Sequence, residues 1–448
     1  MASPGLSSLV DFVEHRNGVV VALSDDKVIH RTLRSAIHRV VDTRKDCLVS
    51  TASRKTAMDT LKELAQAKRP SLLLVEHRFN GRSGTDVILT VSQQYPDTKI
   101  VLLTAEVQAG NIAYLFELGI AGVVVKPVSI NNMLEKMSNA IKPPDDLRTL
   151  MSEGHQRLED GDYDGSEAVA HRILEIKPGS PAGLMLLGDI HMAQDNREAA
   201  ISSYLRAHTE AELYLEPLKR LVTAFKGLND DKVLEYLTKL DWISPFNPTR
   251  KQEIGEAYMR RDDQERAEGY FDRCLELVQE ELPSLYSSVA SGIATAVEKQ
   301  APGMAARYLK ESLDAKKDKL DESDIDTFNR LGIALRRQGK WREAVEEYDR
   351  ALGIAPKDAG LHYNLALAWH DGNRRGEALS SIRKALELDP ALPKYGDGVA
   401  VNIANVFLNA GSPERARPFF ETALDLNPSN SSARRQLKLM DKTASKES

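Results

Sequence analysis

Short apolar runs alternate with amphipathic stretches over the first third of the chain. Four of these runs have the length and the Val, Leu and Ile content of buried strands. They are 18-GVVVALSDD-26, 71-SLLLVEH-77, 99-KIVLLTA-105 and 121-AGVVVKP-127. Strands that are apolar along their whole length and separated by helices are typical of a parallel sheet covered on both faces. The pattern therefore predicts an α/β domain with a parallel sheet.

Polar side chains stand at the ends of all four runs. In chain order they are Asp25 and Asp26, Glu76, Thr104 and Lys126. Because functional groups gather at the carboxyl ends of parallel strands, we expect these five side chains to form one acidic pocket. Three nearby carboxylates repel one another. Either Mg²⁺, bound by Asp25, Asp26 and Glu76, or the ammonium of Lys126 must neutralise them.

This set of residues, in this order, resembles the receiver domain of two-component response regulators. The resemblance covers residues 17–142 and includes the loop glycines Gly81 and Gly84 after the second run. Residues 1–16 are then an N-terminal extension. The resemblance implies a flavodoxin-like fold with a parallel five-stranded sheet. It also implies a cis peptide bond before Pro127, and X–Pro bonds are where cis peptides usually occur.

The chain departs from the receiver pattern at the position that receivers phosphorylate. Glu76 stands where the family places an aspartate, and Val123 stands where an aromatic residue is usual. Three interpretations of Glu76 stay open. It is an unusual phosphoacceptor, displaced by one methylene or about 1.5 Å. It is a built-in mimic that carries about one charge against nearly two for a phosphoryl group. Or it marks a degenerate pocket in a domain kept for binding.

The second part of the chain has a helical period. Paired prolines in 142-KPPDD-146 predict a linker at residues 143–146. Beyond it, an apolar pattern returns about every 34 residues, a period characteristic of stacked helical pairs, and its small and aromatic positions resemble the tetratricopeptide repeat. We expect an all-α solenoid of about eight helical pairs over residues 147–430. A polar capping helix and tail follow over residues 431–448.

One position in the turn of each pair requires a left-handed backbone conformation. In six units it holds only Gly, Asn or Asp, the residue types that tolerate a positive φ at a helix end. The six residues are Gly161, Asp195, Asp262, Gly339, Asn373 and Gly411. We expect each of these helical pairs to turn at this residue.

The repeats imply binding of a protein or peptide. In this repeat family, ligands usually lie along the concave face formed by the first helix of each pair. The residues that the register places on this face are Asn329, Ile333, Arg336, Tyr363, Leu367, His370, Val401 and Asn405. Ile333 and Tyr363 favour an apolar or mixed peptide. We expect the receiver-like domain to influence the repeats only through the contact around Lys142–Asp146.

Composition and charge narrow the classes of function. Of 448 residues, 42% are hydrophobic and 28% charged, and no apolar run approaches the ~20 residues of a membrane span. Two cysteines and the lack of a basic-apolar leader predict a cytoplasmic protein without disulfides. Residues 1–146 hold 18 basic and 16 acidic residues, whereas the remainder holds 42 and 50. This acidic second part disfavours nucleic-acid binding.

Together these features favour a non-enzymatic signalling adaptor or scaffold of the bacterial two-component type. The sequence has no phosphate-cradling glycine loop, nucleophile elbow or zinc-ligand spacing. We expect the repeats to bind a partner, and the receiver-like domain to modulate this binding without phosphorylation and with no required cofactor. The alternative is a phosphorylatable response regulator whose output is the repeat domain. A sensor kinase or another two-component protein is a further expected partner.

Overall fold

The computed structural model describes residues 7–41, 46–105, 109–142 and 146–447. Residues 1–6 of the predicted extension, residues 143–145 of the predicted linker and residue 448 lie outside the described residues. Among the residues that are described, no helix is both long enough and apolar enough to cross a bilayer.

The chain divides into two compact units, Met1–Pro283 and Ser284–Ser448. This division does not coincide with the linker predicted at residues 143–146. It falls among the helical repeats, so the first unit combines the α/β domain with the repeats that follow it directly.

A five-stranded parallel sheet forms the centre of the α/β domain, as predicted. Its strands are β1 (Val19–Leu23), β2 (Leu48–Thr51), β3 (Ser71–Glu76), β6 (Lys99–Thr104) and β7 (Gly122–Val125), in the order β2-β1-β3-β6-β7. Between β3 and the next helix lies a short antiparallel hairpin of β4 (Arg78–Phe79) and β5 (Arg82–Ser83). The sequence pattern did not indicate β2, because this edge strand is only partly buried and has no long apolar run.

Helices cover both faces of the sheet. They are α1 (Ser7–Val10), a π-helical turn (Asp11–His15), α2 (Lys27–Val40), α3 (Arg54–Gln66), α4 (Thr85–Gln94), α5 (Ala109–Glu117) and α6 (Ile130–Ile141). Alternate residues of β1 enter the two opposite hydrophobic cores. Leu9, Phe12 and Val13 belong to one of these cores and are almost fully buried. The segment predicted as an N-terminal extension therefore contributes to the core of the α/β domain.

The remaining described chain is helical. The helices of the first unit are α7 (Asp146–Glu159), α8 (Tyr163–Ile176), α9 (Pro181–Ala193), α10 (Arg197–Glu210), α11 (Leu215–Phe225), α12 (Asp230–Ile243), α13 (Pro248–Arg260) and α14 (Gln264–Glu281). Those of the second are α15 (Tyr286–Val297), α16 (Pro302–Lys316), α17 (Ile325–Arg337), α18 (Trp341–Ile354), α19 (Ala359–Asp371), α20 (Arg375–Leu388), α21 (Asp397–Asn409), α22 (Pro413–Leu426) and α23 (Ser431–Glu447). Short 3₁₀ turns occupy Pro283–Leu285, Lys317–Lys319, Glu322–Asp324 and Leu392–Tyr395. The described residues thus hold four helical pairs in each unit, followed by α23.

The predicted left-handed turn residues are confirmed. All six have a positive φ, from 52° at Asn373 to 78° at Gly161. Gly227, in the turn between α11 and α12, has the same conformation with φ of 77°. A left-handed residue lets the chain reverse within a few residues. Consecutive helices can then pack against each other along their length.

Within several pairs, a glycine of the first helix packs directly against an aromatic ring of the second. Gly255 faces Phe271 and Gly332 faces Tyr348, and both rings are fully buried. A Cβ atom at position 255 would lie 2.5 Å from Cε1 of Phe271. Close approach of the two helices therefore depends on the absence of a side chain at this position.

Candidate functional site

Glu76 lies buried at the carboxyl end of β3, and protein donors hold both of its carboxylate oxygens. The ammonium of Lys126 contacts Oε1, and the hydroxyl of Ser24 donates to Oε2. The Glu76 side chain is 8% exposed and that of Lys126 is 24% exposed. Burial disfavours the ammonium, but its bond to Glu76 more than offsets this, so the pKa of Lys126 is raised. The buried carboxylate thus lies in direct contact with a cation.

The other predicted pocket residues gather around this pair. Lys126 also lies 3.3 Å from Oδ2 of Asp26. The Val28 N–H donates to Asp26, the N-cap of α2, and this lowers the pKa of Asp26. Thr104 and Lys126 line, with Glu76, a cavity of about 90 Å³. The peptide bond between Lys126 and Pro127 is cis, as expected.

The structure does not group the three carboxylates as metal ligands. Asp25 Oδ2 instead accepts a hydrogen bond of 2.7 Å from the backbone N–H of Asn80. In the part of the chain that is described, no three His, Cys, Asp or Glu side chains are placed to hold a metal ion. The sequence offered two cations that could neutralise these carboxylates. One of them, Lys126, pairs with Glu76 and Asp26 in the structure, and Mg²⁺ binding stays a prediction.

Sequence reasoning missed Ser24. It is fully buried, and its Oγ accepts a hydrogen bond of 3.0 Å from the Asp26 N–H while its hydroxyl donates to Glu76. A single serine after a strand carries no signal of its own. Its position one residue before the two aspartates was the available indication.

Repeat helices of the first unit contact the receiver-like domain directly. Arg250 of α13 and Glu117 of α5 form a buried ion pair, with Nη2 and Oε2 2.8 Å apart and both side chains less than 10% exposed. Burial disfavours the Glu117 carboxylate, but its bonds to Arg250 prevail and lower its pKa. The expectation that the receiver-like domain influences the repeats only around Lys142–Asp146 is therefore wrong. It overlooked contacts between residues more than a hundred positions apart.

In the second unit, four predicted groove residues line one cavity of about 470 Å³. They are Ile333, Arg336, Tyr363 and Leu367. The cavity also includes four residues that sequence reasoning missed, namely Arg337, Asn364, Asp371 and Asn402. These four are polar surface positions whose role depends on the neighbouring pair, which a pattern within one repeat does not show.

Hydrogen bonds across neighbouring pairs order this cavity. Arg336 Nε donates to Asp371 Oδ2 at 2.7 Å, and Asn402 Nδ2 donates to the Tyr363 hydroxyl at 2.9 Å. The cavity therefore offers a fixed guanidinium, a carboxylate, amides and a phenol around apolar side chains. Such a combination suits a peptide with polar and apolar groups.

The other four predicted groove residues lie beside this cavity or in the core. Asn329 accepts a hydrogen bond from Asn364 at 3.0 Å, and His370 lies 3.4 Å from Asn409. Val401 is 7% exposed and belongs to the hydrophobic core, and Asn405 is half-buried. Val401 is thus a packing residue in this structure.

The solved structures to which the chain is similar include two tetratricopeptide repeat proteins. YrrB, described as a TPR protein with an unusual peptide-binding site, is 19% identical with a TM-score of 0.33, over 46% of this chain and 99% of YrrB. A tetratricopeptide repeat protein from Parabacteroides merdae is 17% identical with a TM-score of 0.29, over 65% of this chain and 98% of that protein.

Curated relatives match one or the other part of the chain. The TPR repeat-containing protein MJ1428 of Methanocaldococcus jannaschii is 21% identical over 262 residues, which are 57% of this chain and 44% of MJ1428. The regulatory protein LuxO of Vibrio cholerae is 23% identical over 136 residues, which are 30% of each protein. The chain thus spans less than half the length of either relative.

Separate family models match the α/β domain and the helical repeats. A model of the response regulator receiver domain matches residues 21–138. Models of the tetratricopeptide repeat match residues 151–212, 252–283, 329–393 and 398–430. The chain therefore consists of a response regulator receiver domain followed by tetratricopeptide repeats, a combination that indicates a role in signalling through protein interaction.

Proposed function

We propose that this protein is a non-enzymatic signalling adaptor whose receiver domain works without phosphorylation. The observation that supports the proposal most is the bonding of Glu76. Its two carboxylate oxygens accept hydrogen bonds from the Lys126 ammonium and the Ser24 hydroxyl. A carboxylate that attacks a phosphoryl donor needs one oxygen free and correctly placed, and a misplacement of about 1 Å costs on the order of a hundredfold in rate. In this arrangement Glu76 places a carboxyl group, bonded to Lys126 and Ser24, at the acceptor position.

The bond to Lys126 favours the mimic over the degenerate pocket. Buried charges are costly, and a buried ion pair can often be replaced by apolar residues without loss of stability. A degenerate pocket would therefore have no need to keep a carboxylate paired with a lysine. Here Glu76, Asp26 and Lys126 form a connected, partly buried network. We infer that the domain is held in one charged state and modulates the repeats from that state.

Intact mass measurement tests the first part of the proposal. The full chain is incubated with a small-molecule acyl phosphate and Mg²⁺, and wild type is compared with Glu76→Gln and Glu76→Asp. We expect no stable phosphoryl adduct on wild type. An adduct that appears on wild type and disappears in Glu76→Gln makes the protein a phosphorylated response regulator, and the proposal is then wrong.

We propose further that the cavity of the second unit binds the partner, as a peptide segment of mixed polarity. Both cysteines of the chain, Cys47 and Cys274, are buried, and we propose that the protein acts in the reducing cytoplasm. The partner can be a sensor kinase, another two-component protein or a protein outside that system. The chemistry of the cavity indicates which kind of peptide binds, but it does not indicate which protein the peptide belongs to.

Selection from a random peptide library, followed by affinity measurement on the full chain, tests the cavity. Arg336→Glu with Tyr363→Ala should weaken the selected peptide at least about tenfold, because the double variant removes the fixed cation and the phenol. Arg383→Glu with Tyr395→Ala makes the same substitutions at exposed positions of the same unit. Equal loss of affinity in both variants, or in neither, contradicts binding in the cavity.

A further inference from the structure

The carboxylate of Glu281, a residue of the repeats, is largely covered by the receiver domain. Glu281 ends α14, and its side chain is only 12% exposed. Its Oε2 accepts hydrogen bonds from Ser83 Oγ at 2.6 Å and from Thr85 Oγ1 at 2.7 Å. Both donors belong to the short segment that follows Glu76.

Two basic side chains of the same segment complete the surroundings of this carboxylate. Arg78 Nη2 lies 3.4 Å from Glu281 Oε1, and His77 Nε2 lies 3.7 Å from Oε2. His77, Ser83 and Thr85 are each less than 10% exposed. In the folded chain these three side chains are therefore shielded from solvent, unlike the partners of a surface ion pair.

The hydroxyls of Ser83 and Thr85 lie side by side at this carboxylate. Ser83 Oγ accepts a hydrogen bond from the backbone N–H of Thr85 at 3.1 Å and lies 2.9 Å from Thr85 Oγ1. Burial works against the charge of Glu281, but the nearby His77 ring and the hydrogen bonds from Ser83 and Thr85 prevail and lower its pKa to about 2. The segment thus fits a carboxylate in its ionised form.

The same segment also contacts the acidic pocket. The N–H of Gly84 donates to the carbonyl of His77 at 2.6 Å, and a side chain at Gly84 would collide with the carbonyl of Glu76. The hairpin tip reaches the pocket through the hydrogen bond from the Asn80 N–H to Asp25. One short loop therefore touches Asp25 on one side and Glu281 on the other.

We propose that residues 77–85 form a carboxylate-binding site on the receiver domain, and that Glu281 of the same chain is its ligand. This bond, which we term the Glu281 latch, holds the end of α14 to the loop after β3. The latch requires no partner and no phosphorylation. Because of this bond, the receiver domain and the adjoining repeats move together.

Hydrogen exchange of the full chain, followed by mass spectrometry, tests the latch. Glu281→Gln should raise the rate of exchange roughly tenfold in two separate segments, around residues 77–91 and around residues 270–282. The loss of hydrogen bonds to a charged group typically changes an opening equilibrium by at least this factor. Glu280→Gln changes the exposed neighbouring glutamate and serves as the control. It should leave both segments unchanged.

Two results overturn the latch. One is equal exchange in Glu281→Gln and Glu280→Gln. The other is a rise confined to residues 270–282, since that shows a local role in ending α14. Should Glu281→Gln fail to fold, Ser83→Ala with Thr85→Val removes the donors instead and must loosen both segments. If it loosens only residues 77–91, the latch is refuted as well.

A second comparison concerns position 76 and rests on the proposed function. If the receiver acts on the repeats through the latch, Glu76→Gln should also raise exchange at residues 270–282, whereas Glu63→Gln, at an exposed position of α3, should not. A rise limited to the receiver domain refutes this coupling. The latch itself is judged only on the Glu281, Ser83 and Thr85 variants, so the two ideas fail separately.

Discussion

Alanine at position 255 should destabilise the fourth helical pair, whereas alanine at position 269 in the same pair should stabilise it. A Cβ at position 255 would lie 2.5 Å from Cε1 of Phe271, against 3.4–4 Å for an ordinary contact. Phe271 is fully buried, so the ring or the two helices must shift by about 1 Å to admit the added atom. Overpacking of this kind costs about 1–3 kcal/mol.

The helical preference of alanine acts in both variants. Replacing glycine by alanine inside a helix contributes about 1 kcal/mol of stability. A Cβ at Gly269 meets no atom within 4 Å, so Gly269→Ala gains this amount and Gly255→Ala loses about 1 kcal/mol net. The difference between the two variants, about 1–3 kcal/mol, isolates the steric cost of the close approach.

Hydrogen exchange across Pro248–Glu281 in the full chain measures this difference, because it reports the free energy of local opening. A single unfolding midpoint is less suitable, since a chain of two units is not expected to unfold in one step. If Gly255→Ala protects these amides as much as Gly269→Ala does, the glycine is not needed for helix approach.

Three further substitutions test other contacts. Gly339→Val should lower the free energy of local opening, measured by hydrogen exchange, by more than about 1 kcal/mol, because a β-branched residue opposes φ of 76°, whereas Gly339→Asn should lower it less; equal exchange in the two variants would show that the turn tolerates any residue. Glu117→Gln should destabilise the first unit by about 3 kcal/mol by leaving Arg250 buried without its anion, whereas Glu276→Gln, in an exposed pair, should not; calorimetry distinguishes them. Because the pKa of Glu281 is lowered from 4.5 to about 2, the thermal advantage of wild type over Glu281→Gln should persist above about pH 4.5 and shrink as the pH falls towards 2; an advantage that does not change with pH would contradict the bound carboxylate.

Local patterns in the sequence were sufficient for most of the fold. The strand ends brought Asp26, Glu76, Thr104 and Lys126 together because a parallel sheet places successive strand ends on one edge. The turn residues were predictable because a positive φ restricts residue type at a single position. Both rules need only a few neighbouring residues.

Contacts between distant residues could not be predicted in this way. Glu281 lies about two hundred positions from Ser83, and a glutamate near the end of an amphipathic helix resembles any solvated residue. The role of Ser24 could not be predicted either, because a single hydroxyl residue forms no periodic pattern or motif. The groove was predicted in part, since register places Ile333 and Tyr363 but does not show that Asn402 of a later pair binds the Tyr363 hydroxyl.

The buried pair of Glu117 and Arg250 has a consequence for exchanging modules between proteins. A chimera cut at the proline-rich segment near residue 143 would place a foreign receiver beside Arg250, a residue that is only 4% exposed. Without an acid at the matching position of α5, the guanidinium would lose its anion. A cut at the boundary between Pro283 and Ser284 keeps Glu117, Arg250 and Glu281 in one fragment. The exchangeable module of this protein is therefore the receiver together with its first four helical pairs.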